Sequence, residues 1–309
     1  MKRIRIGTAS WTDKTLIKSG SFYPRQVTTA EGRLRFYADH FDTVEVDSSY
    51  YALPAERNAV LWAERTPPGF VFHIKAYSML TGHPTLVKSI PKVLQAELPK
   101  PILARTQAKE FPKEIVEAAF DMFSSALGPL KKAGKLGCLL FQFPPWFLPS
   151  AEAYARMELV REKLPDHHLA VEFRNWRWII TPEKERSLKF LKKHAFSYVV
   201  IDAPWIKGWE GPPAVTAPIA YIRLHGRNRE NWFKKGIDTV ERYRYLYNEE
   251  ELKKWAEKVK GSSNQADQTF VLFNNCYKNY GIKNAKTLEQ LLQESEIQLR
   301  RSINQSKYE

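Results

Sequence analysis

The sequence predicts an α/β fold, a closed parallel (β/α)8 barrel of the TIM type, in a single domain over residues 1–309. Three observations predict it. Eight short runs rich in Val, Ile and Phe recur along the chain, each nearly continuous in apolar character, as strands covered on both faces are. Helical periodicity lies between most of them, and strands alternating with helices give a parallel sheet. Eight such units in a chain of 309 residues favour closure into a barrel over an open doubly wound sheet.

The expected strands are Ile4–Ala9, Thr43–Asp47, Phe70–Ala76, Gly137–Phe143, Leu169–Arg174, Ser197–Asp202, Ile219–Gly226 and Thr269–Asn275. After the first, Leu34, Tyr37, Ala38 and Phe41 follow i, i+3, i+4, i+7 spacing, one face of a helix. After the second, a stretch holding Val60, Leu61 and Trp62 is stopped by Thr66-Pro67-Pro68-Gly69. Further helices are expected over Ile115–Leu127, Tyr154–Leu164, Arg186–His194, Glu249–Val259 and Thr287–Leu299. Between the sixth and seventh strands, Ala203–Pro218 holds Pro204, Gly208, Gly211, Pro212, Pro213 and Pro218. Those residues exclude a regular helix, so a long loop replaces the helix after the sixth strand. A proline-rich, basic insertion is expected near residues 77–112, after the third strand.

Composition narrows the class. Hydrophobic residues are 43% and charged residues 27%, enough for a core and too apolar for wholesale disorder. No run of about 18 apolar residues exists, so no membrane helix is expected. The opening residues already read as a strand, leaving no room for a signal peptide. Cys138 and Cys276 lie in apolar runs and read as free thiols, which makes the cytoplasm the expected location. The net charge of +14 favours anionic partners and also serves solubility.

Active sites of such barrels stand at the carboxyl ends of the strands. Side chains two apart on a strand share a face, and four polar pairs have that spacing: Glu45/Asp47, His73/Lys75, Glu172/Arg174 and Arg223/His225. Together they predict a polar lumen. Buried charges need partners, either one another or a ligand. Glu45, Glu172 and His225 are the candidate catalytic groups. Ser10, Trp11, Tyr50, Lys75, Gln142, Arg174, Trp176, Asp202, Arg223, Asn274 and Asn275 are the candidate substrate contacts. A self-contained ion-pair network, Glu45 with Lys75 and Glu172 with Arg223, is the bland alternative.

Aromatic and basic residues add to the site. Trp11, Trp146, Trp176, Trp178, Trp205, Trp209 and Trp232 all fall just after expected strands, where they could stack sugars or bases or simply pack the rim. From Arg223 to Arg244 the chain is basic, with Tyr243, Tyr245 and Tyr247 interleaved as in a short extended segment with one aromatic face. A divalent metal on His73 or His225 with Glu45, Glu172 or Asp202 is chemically sensible, but no close-spaced ligand motif supports it.

Ordered motifs run along nearly the whole chain: Gly7-Thr8-Ala9-Ser10-Trp11, Phe22-Tyr23-Pro24, Thr43-Val44-Glu45-Val46-Asp47-Ser48-Ser49-Tyr50-Tyr51, Val171-Glu172-Phe173-Arg174, Tyr221–Gly226, and Phe273-Asn274-Asn275 with Asn284-Ala285. In these the chain resembles the DUF72 (YecE-like) proteins. The resemblance implies a TIM-type barrel with a polar cleft and transfers no activity. Thr81-Gly82-His83-Pro84 departs from the Thr-His pattern of many members, so no role passes to His83.

Three functions fit these residues. The first is an enzyme acting on a phosphate-bearing substrate, nucleic acid included, with Lys75, Arg174 and Arg223 on the anion, Glu45 or Glu172 as base and His225 as acid or metal ligand. The second is a non-catalytic binder of nucleic acid or an anionic metabolite. The third is a carbohydrate-active barrel using Glu45 and Glu172.

Overall fold

The computed structural model describes residues 3–206 and 210–305. Eight strands form a closed, all-parallel barrel: β1 (Arg3–Ala9), β2 (Thr43–Val46), β3 (Val71–Lys75), β4 (Leu136–Phe143), β5 (Leu169–Phe173), β6 (Phe196–Asp202), β7 (Ile219–Leu224) and β8 (Gln268–Phe273). Each strand pairs with its neighbours in sequence, and β8 closes on β1 from Arg3↔Gln268 to Thr8↔Phe273.

Among the described residues, the longer helices flanking the barrel are α1 (Ala30–Ala38), α2 (Glu56–Glu64), α3 (Lys113–Ala126), α4 (Ala151–Lys163), α5 (Glu183–Lys193), α6 (Glu249–Gln265) and α7 (Tyr280–Gln305). Their starts follow local chemistry. Thr29 and Ser150 accept from backbone amides at the starts of α1 and α4, and Asn248 with Glu251 forms a capping box on α6. No helix follows β6 among the described residues, as the prolines of 203–218 require. After β3, residues 77–112 fold as 3-10 turns, two short helices, and a two-residue antiparallel ladder of Thr85–Leu86 with Gln107–Ala108.

Strand alternation divides the core. Val44, Ile74, Phe141, Val171, Val200, Ile222 and Val271 pack under the helices, while Val71, Leu140, Val199, Tyr221 and Phe270 fill the lower lumen. A bulge opens where Phe72 faces Leu136 but Ile74 faces Leu139. The His73 ring answers it: Nδ1 accepts the Cys138 amide at 3.0 Å. A Cβ on Gly137 would stand 2.7 Å from His73 Cε1, so glycine is required there. His73 therefore sits in the packed floor, against Tyr221 and Phe270, and not at the mouth.

The same alternation moves Asp202 out of the lumen. Tyr198 and Val200 belong to the shell under the helices, and Asp202, in phase with them, accepts from Arg227 Nε and from Trp255 Nε1 on α6. Its inward neighbours are Val199 and Ile201. Asn275 also lies off the lumen; its amide donates to Tyr245 O and to Asn284 Oδ1.

Candidate functional site

The centre of the mouth is a buried charge network. Arg223 on β7 donates through Nη2 to Glu45 Oε1 and through Nη1 to Glu172 Oε2, each at 2.5 Å. Arg174 Nε stands 2.5 Å from Glu172 Oε1, and Arg174 Nη2 donates to Gln142 Oε1 at 2.8 Å. Tyr221 donates to the second oxygen of Glu45 at 2.8 Å. His225 completes the set: Asn274 donates to Nδ1 at 2.8 Å, which leaves the proton on Nε2, 3.3 Å from Glu172 Oε1.

Burial and charge set the protonation states. Burial would raise Glu172, but the guanidiniums of Arg174 and Arg223 overcome it and hold the carboxyl well below its usual range. For Glu45, burial together with the like charge of Asp47 outweighs the pull of Arg223 and Lys75 and pushes it up to about 7. Burial takes His225 down to about 3 despite Glu172, so the ring is neutral. Burial also lowers Lys75, with Asp47 opposing.

Above this network a cavity of about 740 Å³ opens, lined by Ser10, Asp47, Lys75, Tyr243, Asn274 and Cys276 among others. Lys75 is mostly buried; its Nζ lies 3.8 Å from Asp47 and 4.9 Å from the centre of the Tyr50 ring. Ser10 sits at φ 102, a left-handed conformation that is unusual for serine, and its Oγ accepts from the Thr12 amide. Burial keeps the Cys276 thiol protonated, and it donates to Ala9 O.

Ten of the sequence-derived residues come together: Ser10, Glu45, Tyr50, Lys75, Gln142, Glu172, Arg174, Arg223, His225 and Asn274. Trp11, Trp176, Asp202 and Asn275 do not; Trp176 lines a separate groove. Trp11 is buried edge-on to Trp62 and Phe72, in the packing outside the barrel. Trp178 is also core, stacked on Phe173, whereas Trp146 and Trp176 are exposed. Trp205 stacks on Arg174 at 4.3 Å and meets Trp232 at 4.7 Å; Trp209 lies outside the described residues.

The basic loop after β7 also differs from its expected form. Arg227 is held by Asp202, Glu210 and Glu251. Tyr243 follows the short helix Thr239–Arg242 and faces the cavity, whereas Tyr245 and Tyr247 pack on one another, so the three do not share one face. His83 is bonded to Thr81 and edged by Tyr50 and Trp146.

Asp47 and Tyr243 were not singled out as contacts by sequence reasoning. Asp47 carried a signal, its i, i+2 phase with Glu45; Tyr243 carried none beyond its place in an aromatic loop.

No group of three or more His, Cys, Asp or Glu among the described residues could hold a metal ion. The reason is visible at each candidate. Glu45 and Glu172 are occupied by guanidiniums, and His225 has one ring nitrogen on Asn274 and the other against Glu172.

The family model of DUF72, a protein of unknown function, matches residues 5–307. The chain belongs to the DUF72 family. It is 34% identical over 295 residues to the UPF0759 protein YunF of Bacillus subtilis, covering 94% of each chain. Among solved structures, a DUF72 family protein from Enterococcus faecalis superposes with a TM-score of 0.74 at 26% identity, over 94% of this chain and 95% of that one. A DUF72 family protein from Thermotoga maritima gives 0.73 at 31% identity, over 94% and 99%. No helix among the described residues of this DUF72 chain is long and apolar enough to cross a membrane.

Proposed function

We propose that the mouth cavity is the anion-binding site of an enzyme acting on a phosphate-bearing substrate. One observation carries the reading. Lys75 is a largely buried cation on the cavity wall, and its nearest carboxylate is 3.8 Å away, beyond hydrogen-bond reach. Arg223, by contrast, is in direct contact with two carboxylates, Glu45 and Glu172.

Glu45, Glu172 and His225 are fully buried and serve to set the charge of the groups above them. Of the carboxylates on the cavity wall, Asp47 is the one beside Lys75. In ester hydrolysis water forms the new P–O bond and gives its proton to Asp47. The ester P–O bond breaks, and the leaving alkoxide takes that proton back. Lys75 and Arg174 stabilise the charge developing on the phosphoryl oxygens. A glycosidase using Glu45 and Glu172 fits less well, because both carboxylates are enclosed and bound to one guanidinium.

Calorimetric titration with inorganic phosphate, nucleoside monophosphates and short oligonucleotides tests the reading, on wild type, Lys75→Met and Arg174→Gln. Binding that either variant weakens at least about tenfold is expected, since a charge-assisted contact is worth that much. Millimolar ligand that fails to bind, or binds the variants equally, sinks it. Binding without turnover of any ester would favour the non-catalytic alternative.

A further inference from the structure

Beside the mouth lies a second cavity of about 650 Å³, walled by Trp176, Ile179, Trp205, Ile206, Pro212 and Phe233. Trp176 and Phe233 leave 51% and 63% of their surface in solvent, a large apolar exposure for two residues on one groove. Trp205 joins this groove to the charge network: the Arg174 guanidinium lies 4.3 Å from its ring centre, and His225 lies 5.1 Å away. Arg174 thus touches Glu172 on one side and the groove wall on the other.

We propose that this groove is a base subsite, which takes the planar heteroaromatic ring of a nucleotide whose phosphate occupies the neighbouring cleft. The proposal rests on the anion reading of that cleft and deepens it by naming the rest of the substrate. The wall chemistry selects the occupant. A sugar needs several hydrogen-bonding partners around its hydroxyls. The charged residues lining this groove, among those described, are Glu210 and Arg229, and Glu210 is already held by Arg227 and Lys258. Isoleucine, proline and tryptophan faces suit a flat ring with two apolar sides, and stacking of this kind is tolerant of base identity. The positive charge of the cleft and of the chain as a whole suits the phosphate attached to it.

The test compares adenosine monophosphate, ribose 5-phosphate and adenosine by tryptophan fluorescence and calorimetry. The proteins are wild type, Trp176→Ala and Phe233→Ala, whose exposed side chains leave the core intact. The monophosphate is expected to bind at least about tenfold tighter than ribose 5-phosphate, the advantage that stacking on an aromatic side chain supplies. That advantage should fall to within about threefold in Trp176→Ala, with ribose 5-phosphate affinity unchanged. Equal affinity of the two phosphates for wild type, or an advantage that survives both variants, overturns the base subsite and leaves the cleft reading standing. Adenosine that binds in a Trp176-dependent way while ribose 5-phosphate does not bind supports the subsite and removes the phosphate cleft. If none of the three binds at millimolar concentration, the subsite falls with the cleft.

Discussion

Glu45 and Glu172 grip one guanidinium from two sides, Nη2 and Nη1 of Arg223 at 2.5 Å each, and their carboxyls shift in opposite directions. The difference lies in their second partners. Glu172 has the additional cation Arg174, while Glu45 has the neutral hydroxyl of Tyr221 and the like charge of Asp47.

Arg223→Met removes the shared cation and leaves two enclosed carboxyls facing each other. Breaking a buried pair typically costs about 3–5 kcal/mol, and urea unfolding should show a loss of that order. Lys75→Met, at the cavity wall, should cost clearly less. Equal, small losses in the two variants would mean that the network is hydrated and carries little energy.

The raised Glu45 carboxyl implies a pH window. A group whose folded pKa lies above its unfolded value contributes stability that is complete below the unfolded value and lost as pH rises through the folded one. For Glu45 the window runs from its ordinary value up to about 7. Wild type should therefore lose up to a few kcal/mol relative to Glu45→Gln between about pH 4.5 and 7, with the difference constant above. Glu172 has the opposite sign; its contribution is lost as pH falls below the ordinary carboxylate range. Parallel pH profiles for wild type and Glu45→Gln would contradict the assignment.

The His225 tautomer is fixed by Asn274. Nitrogen-15 NMR of histidine-labelled protein should show His225 neutral, protonated on Nε2, and unchanged from pH 8 to about 5, because burial holds its pKa down to about 3. Asn274→Leu removes the donor to Nδ1 and should mix the tautomers. A His225 signal that titrates near its ordinary value in wild type would show that water reaches the ring.

The barrel was legible because every strand is covered on both faces and so reads as an apolar run, and because prolines marked the missing helix. The inward phase of Glu172, Arg174, Arg223 and His225 was legible from period two. Depth was not: His73 and Lys75 share a phase, yet one lies on the floor against Phe270 and the other on the cavity wall. Asp202 misled because it ends a strand like the others, although Tyr198 and Val200, in phase with it, point it toward α6. Trp11 misled because position after a strand does not say whether a ring turns into the mouth or back onto the shell, where Trp62 and Phe72 receive it.

Asp202 gives the last prediction. It is fully buried and accepts Arg227 Nε at 3.0 and 2.9 Å and Trp255 Nε1 at 2.9 Å. Arg227 continues to Glu251 at 3.0 Å and to Glu210 at 3.1 Å, so one guanidinium ties the loop after β6 to α6. Asp202→Asn keeps the size but replaces an acceptor oxygen with an amide that faces the guanidinium donors. Loss of a charged partner in a buried pair should cost about 2–4 kcal/mol. The cost should fall locally, since Glu210 remains on Arg227 while the anchor beneath it weakens. Limited proteolysis should then cut first within residues 203–218, and hydrogen exchange should rise there before it rises in β7. A variant that loses stability with no preference for that loop would make Asp202 a partner of the barrel wall alone, without a part in holding the rim of the site.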